Sequence, residues 1–210
     1  MRRIERIAHG GSTIHILPVI RGLTSEVEPV RKAFAEVKPD LMAISLCKEE
    51  LDGLRRLPSD YEPELSRYDE IYVTGLARYG EVAAPPPCYV AAVEIADSEK
   101  IPVIPIDVDE ESYTELYCAS ISGSALFRDS TRTWLLRKRA FSADTAEEYV
   151  TKFDRAVNNM RGFRRIEDER VDWMVRELLK TTGKAKDPLA VVEYERAAEV
   201  AAGLSHEEPS

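Results

Sequence analysis

Apolar residues along this chain recur with two different periods, and the switches between them lay out strands and helices. From Ser12 to Ile20, Ile14, Ile16 and Val19 sit in a β-rich run entered by Gly10-Gly11 and interrupted by Pro18, which predicts a strand. Between Ser25 and Val37 the spacing changes: Val27, Val30, Phe34 and Val37 step by three and four, which puts them on one face of a helix. Ser25 and Glu28 have capping-box spacing, and Pro29 suits a first helical turn. Lys38-Pro39-Asp40 closes that helix, and the apolar run Leu41–Leu46 predicts a second strand. Strand, helix and strand joined by tight turns are the signature of a βαβ unit with a parallel pair of strands.

The pattern continues in shorter pieces. Glu49–Leu57 reads as a short helix, whereas Tyr61–Tyr79 mixes helical spacing with the β-prone Ile71-Tyr72-Val73-Thr74 and leaves both assignments open. The rigid Pro85-Pro86-Pro87 run precedes a helix at Cys88–Lys100. Ile101–Ile106 follows as a buried strand and runs into Asp107-Val108-Asp109-Glu110-Glu111. In the second half, Ser124–Ala140, Thr145–Met160 and Ile166–Lys180 carry helix-spaced apolar residues, with Tyr149, Phe153, Val157 and Met160 the clearest stripe. Thr181–Asp187 is a linker, Leu189–Val192 a last strand, Arg196–Ala202 a terminal helix, and Ser205–Ser210 a polar, frayed tail. The expected fold class is α/β: a largely parallel central sheet built from βαβ units, with flanking helices and a helix-rich second half. It forms one domain over 1–204, with a helical insertion at about 121–182.

Composition narrows the function classes. Of 210 residues, 44% are hydrophobic and 32% charged, which suits a folded domain with a real core and a solvated surface. The net charge of −9 opposes any general attraction to nucleic acid or an anionic membrane. One stretch, Arg128, Arg132, Arg137, Lys138 and Arg139 beside Trp134, runs against that balance; a solvated or acid-paired helix face is favoured over phosphate binding. Met1-Arg2-Arg3-Ile4-Glu5-Arg6 leads into polar sequence without a secretory apolar core. The longest apolar runs fall far short of the ~20 residues a membrane helix needs. Cys47, Cys88 and Cys118 are odd in number and widely spaced, so neither a disulfide framework nor a thiolate zinc site is expected, and a reducing cytoplasm is.

No P-loop, H-E-x-x-H, G-x-S-x-G or strand-borne G-x-G-x-x-G is present. Of the three histidines, His206 lies in the tail, His15 reads as a hydrogen-bonded core residue and His9 as a surface one. Cys47 follows a strand, where α/β folds place ligand-binding groups, although a small buried hydrophobe is the plainer reading. Asp107 and Asp109 stand at the same kind of position. They could hold a divalent cation through oxygen, or simply begin a helix.

Several segments in order resemble the TraB/PrgY group. Val37-Lys38-Pro39-Asp40-Leu41-Met42-Ala43-Ile44-Ser45-Leu46-Cys47 is similar to its helix, Pro-Asp turn and second strand. Ala91–Ala96 with Ile101-Pro102-Val103-Ile104-Pro105-Ile106-Asp107 resembles its helix and a strand ending in Ile-Asp. Glu167-Asp168-Glu169-Arg170-Val171-Asp172-Trp173-Met174 is similar to its E-R-x-x-x-M helix, and Pro188–Val192 resembles its final strand. That group belongs to a wider ChaN-like and Tiki-like set in which some members are metal-dependent peptidases, with G-x-x-H after the first strand, Glu after the second and G-x-x-H after the last. This chain departs at all three places: Pro18-Val19-Ile20-Arg21, Ser45, and Glu193-Tyr194-Glu195-Arg196. A cation needs lone pairs, and guanidinium offers only donors, so the resemblance implies a site with no metal and no cofactor and with more positive charge.

Three functional readings follow. In the first, Arg21 and Arg196 meet at neighbouring strand ends and bind a small anionic or peptide ligand with Ser45, Cys47, Asp107 and Asp109 nearby, unless Glu193 and Glu195 satisfy them internally. The second is a hydrolase with a relocated site built from Cys47, Asp107, Asp109 and His15. The third is a homodimeric interaction module using the Tyr149–Met160 face.

Overall fold

The computed structural model describes residues 4–58, 61, 65–122, 136, 141 and 143–206. Strands β1 (Glu5–His9) and β2 (Ser12–Val19) form an antiparallel hairpin with Ile7 opposite Ile14 and His9 opposite Ser12. The expected strand entry at Gly10-Gly11 is thus a two-residue turn, with both glycines at positive φ as such hairpins require. β1 was not anticipated, because its polar residues give no alternating apolar signal.

The βαβ pattern is present as β2, α1 (Val27–Val37) and β3 (Leu41–Ile44). The two strands run in the same direction but are not neighbours. The sheet order is β1-β2-β5-β3-β4, with β4 at Val103–Pro105, and β5 (Pro188–Glu193) enters between β2 and β3. All pairings except β1 with β2 are parallel. Every residue of β5 is buried, as a central strand covered on both faces must be. The turn after α1 fixes its entry: Asp40 accepts the backbone N–H groups of Lys186 and Asp187 at 2.6 and 3.0 Å. Ser12 donates to the Ala185 carbonyl at 2.6 Å on the opposite side.

Side chains alternate along the strands and divide the core into two layers. Leu17, Val19, Met42, Ile44, Leu189 and Val191 pack with α1 and α4 (Pro87–Glu99). Ile14, Ile16, Ala43, Ala190 and Val192 face the opposite way, toward α7 (Arg161–Leu179) and α8 (Tyr194–His206). Burying each aliphatic side chain stabilises the fold by about 1.5–3 kcal/mol, so Val171, Met174, Val175 and Leu178 make α7 a main wall of the core.

A third cluster caps the carboxyl end of the sheet, where α3 (Arg67–Leu76) meets α6 (Ala146–Val157). The ambiguous stretch is therefore helical, starting from a Ser66–Asp69 capping box. Tyr149 and Phe153 of the anticipated stripe are buried against α3, at 1% and 7% exposure. These two side chains are spent on packing within the chain, while Val157 and Met160 of the same stripe are half-buried.

Other boundaries shift. A 3-10 turn at Thr24–Glu26 precedes α1, so the Ser25–Glu28 capping box does not form. α2 covers Lys48–Arg55, and the acidic run opens α5 (Glu110–Ser120), which the apolar pattern does not mark because α5 buries no residue. α8 extends through Ser205 and His206, which the sequence reading assigned to the tail. The anticipated helix Ser124–Ala140 and its basic stretch lie outside the described residues, Leu136 excepted. Among the described residues no helix is long and apolar enough to cross a membrane.

Candidate ligand-binding site

Parallel strands bring their carboxyl ends to one edge, and the residues just beyond them converge there. Arg21 follows β2, Ser45 follows β3, Asp107 follows β4 and Glu193 ends β5; all four line one cavity of about 580 Å³. Arg170 from α7, Tyr72 from α3 and Tyr89 from α4 complete its polar floor. Leu54, Leu57, Pro85 and Pro86 contribute apolar wall.

Local structure holds Arg21 in place. Gly22 has φ +100°, and a Cβ there would lie 3.3 Å from Val82. Its carbonyl accepts the Ala83 N–H at 2.8 Å, while Leu23 bridges Val82. Tyr72 donates its hydroxyl to the Arg21 carbonyl at 3.1 Å, and its ring lies 5.4 Å beneath the guanidinium carbon. Burial opposes the charge of Arg21, but Glu193, Tyr72 and Glu195 outweigh it and the guanidinium stays a firm cation. Even so, its Nε is out of solvent with no hydrogen-bond partner, and no ion pair reaches it among the described residues. Glu193 is in the same condition: it is 3% exposed, and its Oε2 is buried without a partner among the described residues.

The other charges at the strand ends are paired with one another, except that Glu195 Oε2, like Glu193 Oε2, is buried without a hydrogen-bond partner among the described residues. Arg170 grips Asp107 with two nitrogens, Nε reaching Oδ1 at 3.1 Å and Nη2 reaching Oδ2, while Nη1 donates to Glu167 at 3.1 Å. Arg196 donates from Nε to Glu167 at 2.7 Å and from Nη2 to Glu167 and to Asp154, the latter at 3.4 Å. Burial pushes the Glu167 carboxyl up, but Arg196 and Arg170 outweigh that and hold it below its ordinary value. Glu195, 3.9 Å from Arg196, is held above its ordinary value by burial, which Arg196 and Arg21 only partly offset.

The anticipated residues therefore separate. Arg21, Ser45 and Asp107 line the cavity; Arg196, Cys47 and Asp109 do not. The expected meeting of Arg21 with Arg196 in one cleft is corrected: Arg196 is buried behind the floor and is satisfied internally, by Glu167 and Asp154 with Glu195 at 3.9 Å. Cys47 caps α2, its sulfur accepting the Glu50 N–H at 3.4 Å and its own N–H donating to Glu50 at 2.9 Å. Burial pushes its thiol up to about 12, and no histidine bonds to it among the described residues, so it lacks the means of a nucleophile. Asp109 caps α5 by accepting the Ser112 N–H at 2.8 Å, a bond that holds its carboxyl low. His15 is buried with Nε2 3.3 Å from Asp187, at the far end of β5 from the cavity, so it cannot join Cys47 or Asp107.

The donor set does not fit a cation. Arg21 and Arg196 present only N–H groups. Ser45 donates to the Val191 carbonyl at 3.3 Å and shares a 2.9 Å bond with the Tyr89 hydroxyl, so its oxygen is already engaged. Among the described residues no group of three His, Cys, Asp or Glu side chains could hold a metal.

Sequence reasoning named Glu167 and Arg170 only as part of a helix motif, and it gave no site role to them or to Tyr72 and Tyr89. The Glu167–Arg170 spacing of three on one helix was a usable signal, but nothing local in the sequence aims Tyr72 or Tyr89 at a strand end. No protein-family model matches the chain, and no curated protein matches it.

Proposed function

We propose that the protein is a divergent TraB/PrgY-like domain that binds a small ligand through Arg21 at the strand ends, without the metal-dependent peptidase chemistry of the group it resembles. The observation that carries this is an unsatisfied cation in a cavity: Arg21 lines about 580 Å³ of space with a buried, unpartnered Nε. Small-molecule sites occupy roughly 300–1,000 Å³ and pair an apolar wall with a few convergent polar groups, which describes this cavity. Guanidinium matches the geometry of a carboxylate or phosphate. The absence of a fitting donor set at Arg21, Ser45 and Arg196 separates this reading from metal-assisted hydrolysis at those positions.

The test is a thermal-shift and calorimetric screen of phosphate and small carboxylates against the purified protein, with Arg21→Met and elemental analysis alongside. Stabilisation that disappears in Arg21→Met is the expected result. Stoichiometric metal that raises the melting temperature of wild type and Arg21→Met equally would overturn it.

A further inference from the structure

We infer that the ligand is a zwitterion of the α-amino-acid class, its carboxylate on Arg21, its ammonium on Glu193 and an apolar side chain along the cavity wall. This rests on the reading of the cavity as a ligand site and narrows what enters it.

The argument is one of charge and hydrogen-bond satisfaction. Seven charged side chains line the cavity; Glu50 accepts from Cys47, Asp69 from Ser66, and Arg56 lies 3.7 Å from Asp52, which leaves Arg21, Arg170, Asp107 and Glu193 at the strand ends. Arg170 and Asp107 cancel each other, since both Asp107 oxygens accept from Arg170 and the third Arg170 nitrogen is taken by Glu167. That leaves Arg21 with an unpartnered buried donor and Glu193 with an unpartnered buried acceptor, among the described residues. Glu193 is paired in register with Val19, two residues before Arg21, and both line the cavity, so the two groups are neighbours, though no ion pair joins them.

A simple anion would satisfy Arg21 but press its charge against Glu193, whose second oxygen would stay unmet. A simple cation would do the reverse. Each leaves a buried polar group without a partner, which costs about 1–3 kcal/mol, and more for a charged group. A ligand bearing an acceptor and a charged donor close together satisfies both at once. Leu54, Leu57, Pro85 and Pro86 make one side of the wall apolar, and an apolar ligand side chain fits along that side.

Three probes of nearly equal shape separate the possibilities: L-phenylalanine, N-acetyl-L-phenylalanine without the ammonium, and L-phenylalaninamide without the carboxylate. Calorimetry with the full chain should show phenylalanine binding at least tenfold tighter than either analogue. Glu193→Gln should weaken phenylalanine tenfold or more while leaving N-acetyl-phenylalanine as tight or tighter, because the like charge beside its carboxylate is gone, and Arg21→Met should abolish both. Urea unfolding of each variant establishes that it is folded, and Arg21→Lys retains the charge if Arg21→Met does not fold. N-acetyl-phenylalanine or phosphate binding as tightly as phenylalanine, unaffected by Glu193→Gln, would overturn the zwitterion while sparing the anion site at Arg21. Phenylalaninamide binding as tightly as phenylalanine overturns it in favour of a cation or peptide amino terminus. Silence across all probes, phosphate included, overturns both readings.

Discussion

Replacing Arg170 by methionine removes the one side chain that neutralises Asp107 among the described residues. In the native protein Asp107 is 7% exposed and both its oxygens accept from Arg170; its remaining donor is the neighbouring Val108 N–H, at 2.8 Å. The substitution keeps volume and apolar stem but strands a carboxylate at the end of β4, and among the described residues it leaves Glu167 with Arg196 alone. Breaking a buried pair in this way costs about 3–5 kcal/mol, a large part of a typical domain stability of about 5–15 kcal/mol. The double variant Arg170→Met with Asp107→Asn removes the stranded charge and should recover at least about 2 kcal/mol of that loss, because much of the cost is the uncompensated charge and not the missing attraction. Urea unfolding followed by circular dichroism gives all four corners of the cycle. A single-variant loss below about 1 kcal/mol, or a double variant equal to the sum of the singles, refutes the claim that this pair is a buried, coupled unit.

Two helical glycines should respond with opposite signs to alanine. A Cβ at Gly75 would lie 2.1 Å from the hydroxyl and 2.4 Å from the ring carbon of buried Tyr149, so Gly75→Ala should lose about 1–3 kcal/mol in urea melts. Gly53 has open space around it, and Gly53→Ala should gain about 0.5–1 kcal/mol; equal effects at the two would contradict the packing. Burial pushes the thiols of Cys47 and Cys88 up to about 12, whereas Cys118 is exposed. Native protein treated with iodoacetamide should carry one label, at Cys118, by mass spectrometry, and rapid native labelling of Cys47 would count against its buried cap. Burial also holds Glu195 and Asp154 above their ordinary values, so the folded chain takes up these protons before the unfolded chain does, and stability should rise as pH falls toward about 4.3. Below that, the stability contributed by the depressed Glu167 is lost as pH falls through its folded value. Glu195→Gln should flatten part of the rise, and a wild-type urea midpoint that falls steadily from about pH 7 would contradict the sign.

The local elements were legible where periodicity was strong. Val27, Val30, Phe34 and Val37 marked α1, and the β-rich run marked β2, because burial on one face imposes spacing on sequence. The place of β5 in the sheet was not legible. Leu189–Val192 reads as a buried strand anywhere, and its seat between β2 and β3 depends on Asp40 and Ser12 contacts across 146 and 173 residues. The site divided along the same line. Arg21, Ser45 and Asp107 were found because strand ends are where α/β folds gather chemistry. Arg196 was misassigned because position alone cannot say whether a guanidinium faces a cavity or Glu167. Tyr72 and Tyr89 entered from helices whose aromatic residues look like ordinary core in sequence.

On the proposed reading, the replaced positions exchange one kind of positive charge for another. Arg21, Arg170 and Arg196 stand among five carboxylates, Asp107, Asp154, Glu167, Glu193 and Glu195. A divalent cation would offset two such carboxylates, and Arg21 with Arg196 supply the same two charges, but fixed to the chain. The direction of bonding differs: a metal accepts lone pairs and can polarise a water or carbonyl, whereas guanidinium donates protons and is never deprotonated in a protein. A carboxylate ligand is recognised in either arrangement, since both meet its lone pairs. Because the Arg196 charge is consumed by Glu167 and Asp154 and that of Arg170 by Asp107 and Glu167, Arg21 is the one of these three left to meet a ligand, beside Glu193. The arrangement is thus suited to holding an acceptor group next to a donor group, and it provides no Lewis acid at these positions to attack the bond between them.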